Sequence, residues 1–184
     1  MPQRHITSVD LPEHLTVLVV DDDPAFRRIV RYLLERNNVV QYNLIEAECI
    51  VDAVKALGRH AFDVVTLDVR LSDCDAAEDG IKTIRSVDAH TPVVILTGLH
   101  GFTDERALAI GANAYLSKDD VGISDPALSK VIRMTVLQHR YRTVIARAQS
   151  PEHADVVAAA LKTLKRSVHN TIHSTLTDEE GHYD

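Results

Sequence analysis

The chain has 184 residues, 45% of them apolar, and a formal net charge of −7. This length accommodates one ordinary domain with an appendage, and the apolar content is sufficient for a substantial core. The negative charge argues against a general nucleic-acid-binding surface, so we expect no DNA partner.

Membrane insertion and disulfide bonding are also disfavoured. No apolar run approaches the roughly 20 residues that a membrane helix requires, and the N-terminus lacks the apolar segment of a signal peptide. Cys49 and Cys74 are the two cysteines, and without a secretion signal we interpret them as reduced thiols. The sequence therefore predicts a cytoplasmic protein with no membrane partner.

The hydrophobic pattern predicts strands that alternate with helices after a polar, flexible segment at 1–14. The strands are expected at 16–20, 39–47, 63–67, 93–96 and 114–117. The first helix is expected to begin at Pro24, and the next three are expected to cover about 48–57, 80–87 and 103–110. Asp23 suits the cap of the first helix, and Gly111 suits the end of the fourth. Such alternation indicates an α/β fold with a parallel sheet and right-handed crossovers.

Apolar spacing predicts the helix faces that pack on this sheet. The stripe of the first helix consists of Phe26, Ile29, Val30, Leu33 and Leu34. In the last helix, Leu128, Ile132 and Val136 suit the sheet.

The last helix is predicted over 126–148. At 1.5 Å per residue its length is about 33 Å, more than a small domain needs to cover its sheet. A second seam along it consists of Met134, Leu137, Tyr141 and Val144. Two heptads are few for a coiled coil, so two alternatives remain: a helix with a frayed end, or one that pairs with a partner.

An extra C-terminal helix is predicted over 150–176, beginning with a serine cap and a proline. Its apolar face includes Leu161, Leu164 and Val168. This arm either folds back on the preceding helix or pairs with another chain, and we expect a homodimer formed through the C-terminal helices. Residues 177–184 are polar and acidic, which predicts disorder. No DNA-binding helix pattern or catalytic signature follows residue 123, so the chain is expected to be either a stand-alone domain with a helical arm or a piece that has lost a downstream domain.

Polar side chains follow four of the five predicted strands. Asp21 and Asp22 follow the first strand, Asp68 the third, Thr97 the fourth and Lys118 the fifth. Parallel strands end at one edge of the sheet, where open α/β sheets place their ligand crevice. Clustered carboxylates oppose one another's ionisation unless a cation neutralises them, and Mg²⁺ prefers oxygen ligands. Singly, such residues are often caps or solvated charges, but together they predict a site for Mg²⁺ and a phosphoryl group.

Four segments, VLVVDDDPAFRRIVRYLL, FDVVTLDVRL, TPVVILTG and GANAYLSKDD, resemble the receiver domains of two-component response regulators. The resemblance covers roughly residues 15–140 and includes all five strands in order. It implies a flavodoxin-like, doubly wound, five-stranded parallel sheet of order 2-1-3-4-5, with the receiver core at 15–125 and a C-terminal helical extension. It also implies a sensor histidine kinase or phosphotransfer protein as partner, and no enzymatic activity beyond self-catalysed phosphotransfer and dephosphorylation.

The resemblance further implies roles for the acidic residues at the sheet edge. Carried onto this sequence, Asp68 is the phosphoacceptor. Asp21, Asp22, Asp68 and the backbone carbonyl of Arg70 are the expected ligands of Mg²⁺ or Mn²⁺, with Asp22 the more direct of the acidic pair.

The implied mechanism is a two-state switch. Thr97 is the switch hydroxyl, Tyr115 the switch aromatic and Lys118 the phosphate-binding lysine. A phosphoryl group at Asp68 adds a charge of about −2, Thr97 moves toward it, and Tyr115 fills the vacated space. The alternative for Tyr115 is an ordinary half-buried strand aromatic.

Two departures from the family pattern concern the loops at the site. The loop after the phosphoacceptor, 71–80, is long and acidic, so we expect it to crowd the site or to alter docking and dephosphorylation. Lys118 is followed by Asp119 instead of proline, which predicts a trans peptide there. Arg70 and Leu99 occupy positions that tune the access of water to the phosphate, and their bulk suggests slow phosphate loss.

Two other functions fit parts of the pattern. A pseudo-receiver would keep the fold as an unphosphorylated docking module. A phosphatase of the haloacid-dehalogenase type would use Asp21 as its nucleophile in an Asp-x-Asp-x-Thr motif, but Ala25 stands where that motif has threonine.

Overall fold

A computed structural model describes residues 12–36, 39–74, 76–122 and 126–148. In these segments, strands and helices alternate as predicted. The strands are β1 (His14–Val20), β2 (Gln41–Ala47), β3 (Val64–Leu67), β4 (Val93–Thr97) and β5 (Ala114–Ser117). The helices are α1 (Pro24–Glu35), α2 (Ile50–Arg59), α3 (Ala77–Val87), α4 (Asp104–Ala109) and α5 (Ala127–Ala148). A short 3-10 turn at Lys118–Asp120 follows β5.

The five strands form one parallel sheet in the order β2-β1-β3-β4-β5. Val20 at the end of β1 pairs with Leu67 at the end of β3, and Thr97 at the end of β4 pairs with Ser117 at the end of β5. The carboxyl ends of the strands therefore lie along one edge, and the predicted flavodoxin-like sheet order is confirmed.

The centre of the sheet is apolar on both faces. Every residue of β3 and β4 is buried, because helices cover both sides of a doubly wound parallel sheet. On α5, Leu128, Ile132 and Val136 are buried as predicted.

Helix α1 departs from its predicted stripe. Val30 and Leu34 are buried, but Ile29 is 41% exposed and Arg27 is only 6% exposed. The prediction was therefore wrong for Ile29, and it missed Arg27. A buried guanidinium requires charged or polar partners, and those of Arg27 are the residue after β1, Glu46 on β2 and Glu48 just after β2.

Helix boundaries follow local chemistry. The carboxylate of Asp23 accepts a 2.8 Å hydrogen bond from the backbone amide of Ala25 and caps α1 as predicted. Gly111 follows α4 with a φ of 97°, a conformation that favours glycine. Helix α3 begins at Ala77, three residues before the predicted start, and Glu78 and Asp79 place negative charge in its first turn. Acidic residues stabilise a helix N-terminus, so the loop before α3 is shorter than predicted.

Residues Pro12–Val136 belong to one compact unit, and α5 from Leu137 onward belongs to a second. In this second unit Leu137 and Tyr141 are half-buried and Val144 is buried. The predicted arm at 150–176 with Leu161, Leu164 and Val168, the tail at 177–184, and residues 1–11 lie outside the described residues. Over the part of the chain that the structure describes, no helix is both long and apolar enough to cross a membrane.

Candidate functional site

Three carboxylates meet at the carboxyl ends of β1 and β3. Oxygen atoms of Asp21, Asp22 and Asp68 lie within 4.8 Å of one another. Asp21 and Asp68 are buried, whereas Asp22 is exposed. Burial raises the pKa of the Asp21 carboxyl, and its hydrogen bond with Lys118 opposes this rise without cancelling it. Keeping these carboxylates ionised therefore costs free energy, and a bound cation would reduce that cost.

Lys118, just after β5, supplies the one ammonium group that contacts this cluster among the described residues. Its Nζ lies 2.7 Å from Oδ2 of Asp21 and 2.6 Å from Oδ2 of Asp68. Burial acts to lower the pKa of Lys118, but the hydrogen bonds to Asp21 and Asp68 outweigh it and raise that pKa. One ammonium against three carboxylates leaves an excess of negative charge, which is the electrostatic setting that a divalent cation fits.

Backbone amides orient the two buried carboxylates. Oδ1 of Asp21 accepts a 3.0 Å hydrogen bond from the amide of Asp23, and Oδ1 of Asp68 accepts a 3.1 Å bond from the amide of Arg70. The other oxygen of each carboxylate contacts Lys118. The Arg70 side chain is exposed, and Arg70 contacts the site through its backbone amide.

The ring of Phe26, in the first turn of α1, lies against the ammonium of Lys118. The Nζ atom is 4.4 Å from the ring centroid, well inside the range of a cation–π interaction. Sequence reasoning placed Phe26 in the core stripe of α1 and missed this contact. The available signal was its position, four residues after Asp22 on the helix that starts at the site.

The buried side chain of Arg27 forms hydrogen bonds and ion pairs around the end of β1. Its Nη1 donates a 2.7 Å hydrogen bond to the backbone carbonyl of Asp21. Its Nε lies 3.1 Å from Glu46 and its Nη2 lies 2.9 Å from Glu48. These contacts join α1, the end of β1 and the residues after β2 at the edge that carries the carboxylates, and sequence analysis did not find them.

The predicted switch residues lie at the ends of β4 and β5. Thr97 is fully buried, and its hydroxyl accepts a 3.3 Å hydrogen bond from the amide of Leu99. Leu99 packs against the apolar core. Tyr115 is half-buried, and its ring centroid lies 5.7 Å from that of Phe102.

Two acidic residues between β3 and the first turn of α3 are bonded to groups outside the cluster of three carboxylates. Both oxygens of Asp73 accept 3.1 Å hydrogen bonds from the amides of Ile50 and Val51 at the start of α2. Glu78 pairs with Arg106 of α4 at 3.3 Å. The expected crowding of the site is therefore not seen for Asp73 and Glu78, because their charges are engaged elsewhere.

Comparison with known proteins identifies the fold and the family. Residues 17–133 match the family model described as the response regulator receiver domain. The sensory transduction protein LytT of Bacillus anthracis is 34% identical over 104 residues, which are 56% of this chain and 41% of that protein. The chain thus spans less than half the length of this curated relative.

Solved structures agree with the fold. A CheY-like response regulator receiver domain protein from Methanospirillum hungatei superposes with a TM-score of 0.59 at 20% identity, over 70% of this chain and 98% of that one. The receiver domain of a sensor histidine kinase from Pseudomonas aeruginosa, whose structure has a magnesium ion coordinated in the active-site cleft, gives a TM-score of 0.56 at 21% identity, over 67% and 98%. With its sheet order, its strand-end carboxylates and a family match over more than half of its length, the chain belongs to the response regulator receiver domain family.

Proposed function

We propose that this receiver accepts a phosphoryl group on Asp68 from a sensor histidine kinase or a phosphotransfer protein, in a reaction that depends on a divalent cation. The observation that carries the proposal is the surroundings of the Asp68 carboxylate. Lys118 lies 2.6 Å from one of its oxygens, and carboxylates of Asp21 and Asp22 lie within 4.8 Å. Phosphoryl transfer depends mainly on positioning and charge neutralisation, and this set of groups can supply both.

Asp21, Asp22 and Asp68 would hold Mg²⁺ or Mn²⁺, joined by the Arg70 carbonyl that the family resemblance implies. All these donors are oxygens, the ligand type that both ions accept. The Pseudomonas receiver with magnesium in its cleft supports the assignment. When bound, the ion supplies positive charge to the phosphoryl oxygens.

The chain's own residues then account for the transfer. An oxygen of Asp68 forms the new bond to phosphorus while the bond from phosphorus to the donor's imidazole nitrogen breaks, and that nitrogen leaves with the electron pair. Lys118, just after β5, contacts Asp68 and holds a positive charge beside the incoming phosphoryl oxygens. The backbone amide of Arg70 orients the attacking carboxylate.

The switch that we propose runs through Thr97 and Tyr115. The Thr97 hydroxyl exchanges its bond with the Leu99 amide for one with the phosphoryl group, and Tyr115 moves toward the space that opens. Because Tyr115 packs on Phe102, this movement changes the surface around α4 and β5. The bulk of Arg70 and Leu99 slows the approach of water to the phosphate.

Labelling with acetyl phosphate and Mg²⁺ tests the phosphoacceptor. We expect Asp68→Asn to abolish incorporation, and Asp79→Asn, an exposed acid in α3, to leave it unchanged. Incorporation that survives Asp68→Asn would contradict the proposal. Turnover dependent on Asp21 would instead indicate a phosphatase, and no labelling by any small phosphodonor would indicate a docking module. No activity toward other substrates is expected.

The helices after the receiver core at 15–125 are proposed to mediate self-association. Met134, Leu137, Tyr141 and Val144 follow heptad-like spacing along the extended helix at 126–148, and an apolar face with the same spacing is predicted at 150–176. Mass in solution, with and without a phosphoryl mimic, on the intact chain and on one ending at Arg142 tests this. A monomeric intact chain under both conditions would contradict it.

The free cysteines Cys49 and Cys74 support a cytoplasmic location for this protein, because thiols stay reduced there. Localisation of the tagged full chain by fractionation tests this proposal, and recovery of the protein outside the cytoplasm would contradict it.

A further inference from the structure

We propose that Phe26 is a positioning residue for Lys118, and that its aromatic face holds the ammonium ready for phosphoryl oxygens. This inference rests on the proposed function and adds to it a residue outside the acidic cluster, the switch pair and the phosphate-binding lysine. The observation behind it is the 4.4 Å distance between Nζ of Lys118 and the centroid of the Phe26 ring.

The backbone around Phe26 is fixed relative to the carboxylates. Asp23 caps α1 with its carboxylate, and the amide of Asp23 donates to Asp21. Arg27, the residue after Phe26, donates to the carbonyl of Asp21. Hydrogen bonds to Asp21 from residues before and after Phe26 therefore hold this turn of α1, which carries the ring, close to the carboxylates.

The ring complements the other contacts of Lys118. A lysine ammonium is a compact charge on a flexible stem, and two carboxylate oxygens alone leave one side of it unsupported. Those oxygens belong to Asp21 and Asp68, which are also the expected cation ligands. An aromatic face attracts the ammonium without competing for a metal ion, so it holds Lys118 in place when the carboxylates serve the cation.

Loss of the aromatic face at Phe26 should weaken the binding of a phosphoryl mimic specifically. Phe26→Leu keeps apolar bulk but removes the aromatic face, whereas Phe26→Tyr keeps the face. A cation–π contact at a partly desolvated site is worth about a threefold to tenfold change in an equilibrium constant. We therefore expect Phe26→Leu to weaken binding of a phosphoryl mimic by this factor, and Phe26→Tyr to retain wild-type affinity.

The test measures the affinity of the full chain for beryllofluoride at saturating Mg²⁺, and separately the affinity for Mg²⁺ alone. Phe26→Leu should weaken beryllofluoride binding and leave Mg²⁺ binding within about twofold, since the ring offers no metal ligand. Ile29→Ala, an exposed apolar residue on the same helix, is the matched control and should change neither affinity. A merely structural role for Phe26 would weaken both affinities together, and that result would overturn the proposal.

A double-mutant cycle with Lys118→Met tests whether Phe26 affects binding of the mimic through Lys118. In the Lys118→Met background, at mimic concentrations raised to saturate the weaker variants, Phe26→Leu should cause no further loss. An equal loss in both backgrounds would show that Phe26 acts independently of Lys118 and would overturn the inference. If wild type binds the mimic and Phe26→Leu binds it equally well, this inference fails alone. If wild type does not bind the mimic at all, the proposed function fails with it.

Discussion

The guanidinium of Arg27 donates a 2.7 Å hydrogen bond to the backbone carbonyl of Asp21. The same side chain is buried and also pairs with Glu46 and Glu48. Arg27, in the first turns of α1, thus links the end of β1, which carries the acidic pair, to the end of β2 and the residue just after it.

Replacing Arg27 should therefore destabilise the receiver. Arg27→Met removes charge-assisted hydrogen bonds and leaves the carbonyl of Asp21 without this donor, so we expect a loss of about 2 kcal/mol in the free energy of unfolding. Urea unfolding followed by circular dichroism measures it. Arg28→Met, at the exposed neighbouring position, is the control, and equal losses in the two variants would contradict the bracing role.

Asp73 caps a helix from a distant part of the chain. Its carboxylate accepts from the amides of Ile50 and Val51, while Cys49 at the cap position makes no side-chain cap bond. We expect Asp73→Ala to cost about 1 kcal/mol of stability, measured by urea unfolding. Ser72→Ala, at the exposed neighbour in the same turn, should have little effect, and a loss as large as that of Asp73→Ala would contradict the cap.

The contribution of Asp73 should also depend on pH. Burial acts to raise the pKa of the Asp73 carboxyl, but the amides of Ile50 and Val51 outweigh it and lower that pKa. A depressed carboxyl pKa stabilises the fold above the unfolded-state value of about 3.9, and this stabilisation is lost as the pH falls through the folded value. The stability difference between wild type and Asp73→Ala should thus narrow as the pH falls from about 5 toward about 3. A difference that grows on acidification would contradict this.

Divalent cations should stabilise the protein through the acidic cluster. A cation that binds the folded chain and not the unfolded one raises the midpoint of thermal unfolding in a concentration-dependent way. We expect MgCl₂ to raise it in wild type and Asp22→Asn to reduce that rise, because Asp22 lies within 4.8 Å of the other two carboxylates. NaCl at matched ionic strength is the control. A rise that is unchanged in Asp22→Asn would exclude Asp22 as a ligand.

Arg106 links α4 to two neighbours, and its removal should have a small, salt-dependent effect. It pairs with Glu78 at 3.3 Å with both side chains about half exposed, and its guanidinium carbon lies 5.1 Å from the centroid of the Phe102 ring. Exposed pairs contribute less than about 1 kcal/mol, so Arg106→Ala should cost no more than this at low salt. The cost should shrink at high salt, as measured by urea unfolding. Glu105→Gln on the exposed side of α4 is the control, and a loss of stability independent of salt would contradict the ion-pair contribution.

Much of the fold was predictable because parallel α/β sheets have a strong sequence pattern. The short apolar runs that end at Val20, Leu67 and Leu96 are strands buried on both faces, as continuous β-branched and leucine runs indicate. Since these strands are parallel, polar residues that directly follow them had to reach one edge. The candidate site was therefore predictable from the sequence as Asp21, Asp68, Thr97 and Lys118.

The errors had a physical origin. Apolar spacing placed Ile29 in the core and did not include Arg27, but Arg27 is buried through ion pairs with Glu46 and Glu48 and a hydrogen bond to the carbonyl of Asp21. The start of α3 was misplaced because a helix can begin without a side-chain cap, as α3 does with Ala76 at its cap position.

The sequence by itself determined the alternation of strands and helices and the location of the carboxylates at strand ends, since both depend on residues adjacent in the chain. Only the tertiary structure decided which groups meet. Lys118 contacts Asp68 from 50 residues away, and Asp73 caps α2 from 23 residues away at Ile50. Such partners are selected by the packing of whole elements, and a local pattern of residue types carries no information about which distant amide or carboxylate will lie within hydrogen-bond distance.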